Sequence, residues 1–104
     1  MRGEIWRFAG SDGCAFLIVQ HDALTMVGPT VTALAVTGNA QDAGEPLTIP
    51  LTKAESGTGH PAWVKITQVH TLPVRAATER IGALAPERMR RVDSALGEVL
   101  ALSI

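Results

Sequence analysis

The feature that most constrains the fold of this 104-residue chain is the shortness of the segments between its apolar runs. Several runs are typical of strands, because they alternate apolar and polar residues or are continuously apolar, and turn-forming residues bound them. None of the connections is long enough for the crossover helix that a parallel pair requires. The sequence therefore predicts five or six short, mostly antiparallel strands, five of them over residues 3–8, 15–19, 31–37, 47–51 and 63–69.

Some segments indicate their own place in this sheet. Residues 15–19 are a continuous apolar run, which is typical of a strand buried on both faces. Pro50 has no amide proton to donate, so the strand over residues 47–51 is expected at an edge of the sheet. Residues 24–30 are interpreted as a loop, and a turn is predicted at residues 10–13.

The last predicted element is an amphipathic helix. Pro86 lies where a first helical turn tolerates proline, and Glu87 complements the helix dipole there. Apolar residues then recur at helical spacing and form a stripe that docks on the sheet. They are Met89, Val92, Leu96, Val99 and Leu100. The prediction is a mainly β fold, a strongly twisted antiparallel sheet or small barrel with one C-terminal α-helix, in a single domain over residues 1–104.

Composition excludes several classes of protein and site. Hydrophobic residues make up 46% of the chain and charged residues 18%, as in globular rather than disordered proteins. Cys14 is the single cysteine, so it has no partner for an internal disulfide or a zinc site. No apolar run is long enough to cross a bilayer and no signal peptide is evident, so we expect a cytoplasmic protein without a membrane partner. The net charge of −1 argues against nucleic-acid binding through bulk charge, but not against a local basic patch.

Four spaced motifs resemble one known family. Residues 2–6 read RGEIW, residues 16–22 read FLIVQHD, residues 64–73 read VKITQVHTLP and residues 79–84 read ERIGAL. Each is short, but in their joint order and spacing they resemble the MazF/PemK family of ribonuclease toxins over most of the chain. A related barrel family that inhibits a topoisomerase is disfavoured, because those relatives lack the RGEIW opening.

The resemblance implies both a fold and a function. The fold is an SH3-like barrel of the MazF/CcdB type with a C-terminal helix, assembled as a two-fold homodimer. The function is that of the toxin of a type II toxin–antitoxin system, with a MazE-like antitoxin as partner. Its activity would be metal-independent, sequence-specific cleavage of single-stranded mRNA, with no cofactor.

Such cleavage makes definite chemical demands. The ribose 2′-OH attacks the adjacent phosphorus, and the enzyme must stabilise the added negative charge and move two protons. A guanidinium suits the charge, because it is always positive and binds two phosphate oxygens. In the family this role falls to an arginine just before the second strand, and a threonine at the end of the third strand hydrogen-bonds the same phosphate.

At the two matching positions, this chain retains the family's threonine but has a cysteine in place of the arginine. Thr37 matches the threonine, and without the resemblance it is interpreted as a strand-end residue that caps the turn at Gly38-Asn39. Counted back from Gln20, the arginine position falls on Cys14, whose thiol cannot replace a fixed positive charge. Loss of one such donor typically costs on the order of 10²–10³ in rate. Two functions therefore stay open: a weakened endoribonuclease, or a catalytically degenerate MazF-like dimer that binds an antitoxin or RNA without cutting.

Two arginines are candidate phosphate ligands. Arg7 lies on the first predicted strand, and its distance from Thr37 is not given by the sequence. Arg80 of the ERIGAL motif either binds phosphate or forms an ion pair with Glu79 or Glu4.

Histidines are the candidate acids and bases near neutral pH. His70 lies where the family has Arg or His, so it is expected to face the RNA groove or the partner. His21 is a second candidate RNA-binding residue and His60 a third histidine. Each is also explained by the simpler interpretation of a surface or strand-end residue.

Overall fold

The computed structural model describes residues 1–10, 14–39 and 47–101. Within these ranges six strands and three α-helices follow one another along the chain, with a 3-10 turn at Val74–Ala76 between the fifth and sixth strands. The elements are β1 (Glu4–Phe8), β2 (Ala15–Ile18), α1 (Asp22–Val27), β3 (Thr30–Thr37), β4 (Thr48–Leu51), α2 (Lys53–Ser56), β5 (Ala62–Pro73), β6 (Ala77–Ala83) and α3 (Pro86–Val99).

The six strands form one antiparallel sheet in the order β4-β5-β3-β2-β1-β6. The predicted antiparallel sheet with a C-terminal helix is confirmed, and β4 lies at an edge as Pro50 predicted. Among the described residues β4 and β6 do not pair with each other, so the sheet is curled like a barrel without being closed by hydrogen bonds.

Helix α2 bridges the two edges of the curled sheet. It follows β4 directly and packs on β6, the strand at the opposite edge. The contact brings backbone against backbone: a methyl group at Gly82 would lie 2.0 Å from the carbonyl oxygen of Glu55. Gly57 ends α2 in the left-handed conformation, with φ 71°, and a methyl group there would lie 1.4 Å from the carbonyl oxygen of Ile81. Two glycines therefore allow the edges to meet.

The apolar core has two parts, one on each face of the sheet. Strand β2 explains why, because Ala15 and Leu17 join the cluster under α3 while Phe16 and Ile18 join the cluster on the other face. All four β2 residues are buried, which confirms the strand predicted from the continuous apolar run. Val92 of α3 is fully buried in the first cluster.

Helix α3 begins at Pro86, as predicted, and its apolar stripe packs on the sheet. Its first turn is tied to α2, because the Arg88 guanidinium donates to the Glu55 carboxylate at 3.3 Å. No helix in the described part of the chain has both the length and the apolar character needed to span a membrane.

The interpretation of residues 24–30 as a loop is wrong, because α1 occupies much of this segment. His21 caps the helix: its Nδ1 accepts a hydrogen bond from the Ala23 N–H at 3.1 Å. Met26 and Val27 are more than four-fifths exposed, so α1 lacks the buried apolar stripe by which a sequence reveals a helix.

The comparison with the predicted elements leaves two more segments, strand β6 and residues 10–13. The sequence marks part of strand β6 only through the ERIGAL motif and does not predict a strand there, because the β6 residues are mostly exposed and show little alternation. The turn predicted at residues 10–13 falls mainly outside the described residues.

Candidate active site

A cleft of about 600 Å³ opens across four neighbouring strands, β5, β3, β2 and β1, near the end of the sheet where β2 begins and β3 ends. Its floor is apolar and includes Phe16, Ala35 and Val36. Its polar lining consists of Arg7, Cys14, Thr37, Thr58, His60, Lys65, Gln68 and His70. Among the described lining residues there is no aspartate or glutamate, and the lining includes two side chains of permanent positive charge, Arg7 and Lys65.

Strand register brings the residues of the first three strands together. Arg7 of β1 pairs with Ala15 of β2, and Ala15 pairs with Val36 of β3. Continuing the antiparallel β2–β3 register by one residue places Cys14 beside Thr37. The two positions singled out by the sequence are therefore neighbours across a strand pair, with Arg7 on the next strand.

Thr37 has a structural role as well as a place in the cleft. Its Oγ1 accepts a hydrogen bond from the Asn39 N–H at 3.1 Å, so it caps the turn after β3. A hydroxyl that accepts a bond still carries its own proton to donate. The turn therefore fixes the position of this oxygen at the end of β3.

Arg7 lies at the β1 side of the cleft. Its Nε is 3.8 Å from Oε2 of Glu79, whose side chain is 67% exposed. A long, solvent-exposed ion pair contributes little free energy.

His70 is oriented by an aromatic contact. Its ring packs edge-on against Phe16, with 5.1 Å between ring centroids and an interplanar angle of 69°. Phe16 is itself buried and packs edge-to-face on Phe8 at 5.7 Å. The imidazole is thus held at the cleft by a ring anchored in the core.

A bulge between β3 and β5 shapes the remaining wall. Leu34 pairs with Val69 and Val36 pairs with Val64, so the single residue Ala35 lies opposite four residues of β5, 65–68. A bulge interrupts the alternation of side chains between the two faces of a sheet.

This bulge explains which polar residues sequence reasoning missed. Simple alternation assigns Lys65 and Gln68 to opposite faces of β5, yet both line the cleft together with His70. The sequence signal available was a lysine in a strand otherwise rich in apolar residues. His60, in the segment before β5, also lines the cleft.

Comparison with known proteins identifies the family. A model described as the PemK-like, MazF-like toxin of type II toxin–antitoxin systems matches residues 2–100. The chain belongs to the PemK/MazF toxin family. Endoribonuclease EndoA of Bacillus subtilis is 29% identical over 86 residues, which cover 83% of this chain and 74% of EndoA.

Solved structures of family members share this fold. An endoribonuclease in complex with its cognate antitoxin, from a mycobacterial species, superposes with a TM-score of 0.84 at 21% identity, covering 100% of this chain and 97% of that one. A MazE–MazF complex of Deinococcus radiodurans has a TM-score of 0.79 at 22% identity, covering 98% and 95%. The twisted sheet with its C-terminal helix is therefore the MazF fold.

The structure separates the six candidate site residues predicted from the sequence into two groups. Arg7, Cys14, Thr37 and His70 line one cleft. The other two, His21 and Arg80, are not among the lining residues. His21 caps α1, as described above.

Arg80 forms one of the ion pairs considered for it. Its Nη1 lies 2.9 Å from Oε2 of Glu4 on the neighbouring strand β1. Burial raises the pKa of Glu4, but hydrogen bonds from the Trp6 indole and from Arg80, with the N-terminal ammonium nearby, outweigh it and lower the pKa. Arg80 therefore stabilises a carboxylate outside the cleft.

Proposed function

We propose that this PemK/MazF toxin cleaves single-stranded RNA in the cleft, by a metal-independent reaction. The observation that carries the proposal is that Arg7, Lys65 and His70 line the same cleft as Thr37, with no carboxylate among the described lining residues. The chain as a whole has a net charge of −1. A local cluster of cations on such a chain concentrates attraction for a phosphate backbone in this one place.

The proposed reaction is an internal transesterification. The 2′-oxygen forms a bond to the adjacent phosphorus and the bond from phosphorus to the 5′-oxygen breaks, leaving a 2′,3′-cyclic phosphate and a 5′-hydroxyl. One proton leaves the 2′-OH and one is delivered to the departing 5′-oxygen, so the reaction needs no other reactant. Binding and positioning of the phosphate, together with proton transfer, are the work left to the protein.

Three side chains are assigned to these tasks. Arg7 offers a guanidinium to two phosphate oxygens, and Thr37 donates a hydrogen bond to the same group. His70 exchanges protons with the reacting oxygens, because an imidazole accepts and donates a proton near neutral pH. The edge-on contact with Phe16 supports this role by fixing the ring at the cleft.

The proposed assembly is a two-fold homodimer. The proposed protein partner is an antitoxin of the MazE type. Solved relatives described as toxin–antitoxin complexes support the antitoxin. A cationic cleft would accept an acidic, partly disordered antitoxin segment in place of RNA. Competition between an acidic peptide and RNA for the purified toxin, followed by fluorescence anisotropy, tests this; simultaneous binding of both would contradict it.

The presence of a cysteine at position 14 supports a second candidate function. Cys14 lies in the cleft at the position counted as the family's arginine, where a thiol supplies no fixed charge. The alternative is therefore a MazF-like binding module that engages RNA or an antitoxin without cutting.

A cleavage assay separates the two functions. The purified protein is incubated with a long single-stranded RNA and a chelator, alongside Thr37→Ala, Cys14→Arg and the matched control Thr67→Ala, which changes an exposed threonine of β5 outside the cleft lining. Site-specific cuts by the wild type and Thr67→Ala that vanish in Thr37→Ala support the ribonuclease. Cutting only by Cys14→Arg supports the binding module, and no cutting by any variant refutes the ribonuclease.

A further inference from the structure

We infer that Lys65 supplies the phosphate-binding charge that Cys14 cannot. The inference rests on the proposed function, because it concerns the same cleft and the same reaction. It assigns a role to a residue of the VKITQVHTLP segment that is not among the candidate site residues predicted from the sequence.

The position of Lys65 follows from the register of β3 and β5. Trp63 pairs with Thr37, and the bulge opposite Ala35 begins two residues later, at Lys65. On its other side Lys65 pairs with Thr48 of β4, so its backbone is held there by the edge strand. Its side chain is half-buried and lines the cleft.

The strand order places Lys65 across the cleft from Arg7. Along the sheet the side chains occur in the order Lys65 on β5, Thr37 on β3, Cys14 before β2 and Arg7 on β1. Neighbouring strands are about 4.8 Å apart and each residue rises about 3.3 Å along a strand. Since Trp63 is the partner of Thr37, Lys65 lies one strand and two residues away from Thr37, on the same face of β5 as Trp63. Its flexible four-carbon stem can bring the ammonium toward Thr37. A phosphate bound in the cleft near Thr37 would then have one permanently charged side chain available from β5 and one from β1.

The alternatives within the cleft are weaker sources of this charge. His60 and His70 are positive only when protonated, whereas an ammonium is positive throughout the neutral range. Partial burial strengthens the attraction between the ammonium and a phosphate, because the effective dielectric constant is lower than in bulk water. Lys65 is therefore the residue best placed to share the transition-state charge with Arg7.

Binding is tested first, so that the outcome does not depend on cleavage. The probe is a short, fluorescently labelled, fully 2′-O-methylated single strand of mixed sequence, which lacks the nucleophile. Lys65→Met is expected to weaken its binding and to reduce the slope of log affinity against log salt by about 0.7, the value for one phosphate contact on a single strand. Lys65→Arg should keep the slope, as should the control Lys53→Met, an exposed lysine of α2 outside the cleft lining. An unchanged slope in Lys65→Met, or no binding by the wild type, overturns the inference.

Cleavage then tests the catalytic part by rescue. Lys65→Met is expected to lower kcat/KM by on the order of 10²–10³, and Cys14→Arg in the same chain is expected to restore most of it. If Lys65→Met weakens binding as expected but the wild type does not cleave RNA, Lys65 is a phosphate-binding residue and the ribonuclease proposal is refuted. Wild-type rates in Lys65→Met, with Thr37→Ala inactive, would refute the role of Lys65 and keep the ribonuclease.

Discussion

The contact between α2 and β6 makes a quantitative prediction about stability, through three glycine-to-alanine substitutions. Gly82→Ala adds only a steric clash, because the new methyl would lie 2.0 Å from the Glu55 carbonyl oxygen and 2.8 Å from the Ser56 carbonyl carbon. Gly59→Ala adds only backbone strain, since its φ is 76° and nothing lies within 4 Å of the new methyl. Gly57→Ala adds both, with φ 71° and a methyl 1.4 Å from the Ile81 carbonyl oxygen.

The expected losses in the free energy of unfolding follow from these geometries. Left-handed backbone costs an alanine about 1–2 kcal/mol, so Gly59→Ala should lose about that much. Overpacking against a close neighbour costs typically about 1–3 kcal/mol, and backbone atoms cannot rotate away as a side chain can, so Gly82→Ala should lie at the upper end. Gly57→Ala combines the two effects and should lose about 3–5 kcal/mol.

Urea unfolding at one fixed protein concentration measures the three losses, since an oligomer's midpoint depends on concentration. With a slope of about 1–3 kcal/mol per molar, a loss of about 3 kcal/mol lowers the midpoint by about 1–3 M. The reasoning is refuted if Gly57→Ala and Gly59→Ala lose the same amount, because the clash with β6 would then not exist. A Gly82→Ala variant with an unchanged free energy of unfolding would likewise show that α2 does not pack closely on β6.

Other substitutions test the cap, the core and the acid response. Thr52→Ala removes the side chain that accepts from the Glu55 N–H and should cost about 1 kcal/mol in thermal or urea unfolding; an unchanged midpoint would contradict the capping box. Leu17→Ala, at a fully buried position, should cost about 2–5 kcal/mol by the same measurement, and a loss below this range would mean that the site collapses around the cavity. Burial raises the pKa of Glu55, but hydrogen bonds from the Thr52 N–H and the Arg88 guanidinium outweigh it and lower the pKa. Its stabilising contribution is therefore complete above the unfolded pKa of about 4.3 and is lost as pH falls through the lower folded value. Arg88→Met should flatten this acid dependence in unfolding curves, and an unaltered dependence would exclude the pair as its source.

Four of the six candidate residues named from the sequence line the cleft, and two do not. Thr37 ends a strand and Cys14 precedes one, so an antiparallel pair between these strands makes them neighbours. Arg80 has the same charge as Arg7 and lies on the strand next to it, yet it pairs with Glu4 outside the cleft. Charge and residue type cannot distinguish two such arginines, because the distinction depends on which partner each side chain meets.

Local properties of the chain determined most of its elements. The apolar period and the proline start of α3, the apolar run of β2 and the missing amide proton of Pro50 act within a few residues, so they are visible in the sequence itself. They were enough to predict a mainly antiparallel sheet with one C-terminal helix docked on it.

Tertiary structure alone decided how the sheet curls and what the cleft contains. The bulge that turns Lys65 and Gln68 into the cleft depends on the pairing of strands far apart in sequence. The closure of α2 on β6 depends on two glycine backbones, at 57 and 82, meeting across the sheet. Both are properties of register and close approach between distant segments, which the order of residues along the chain does not specify by any local rule.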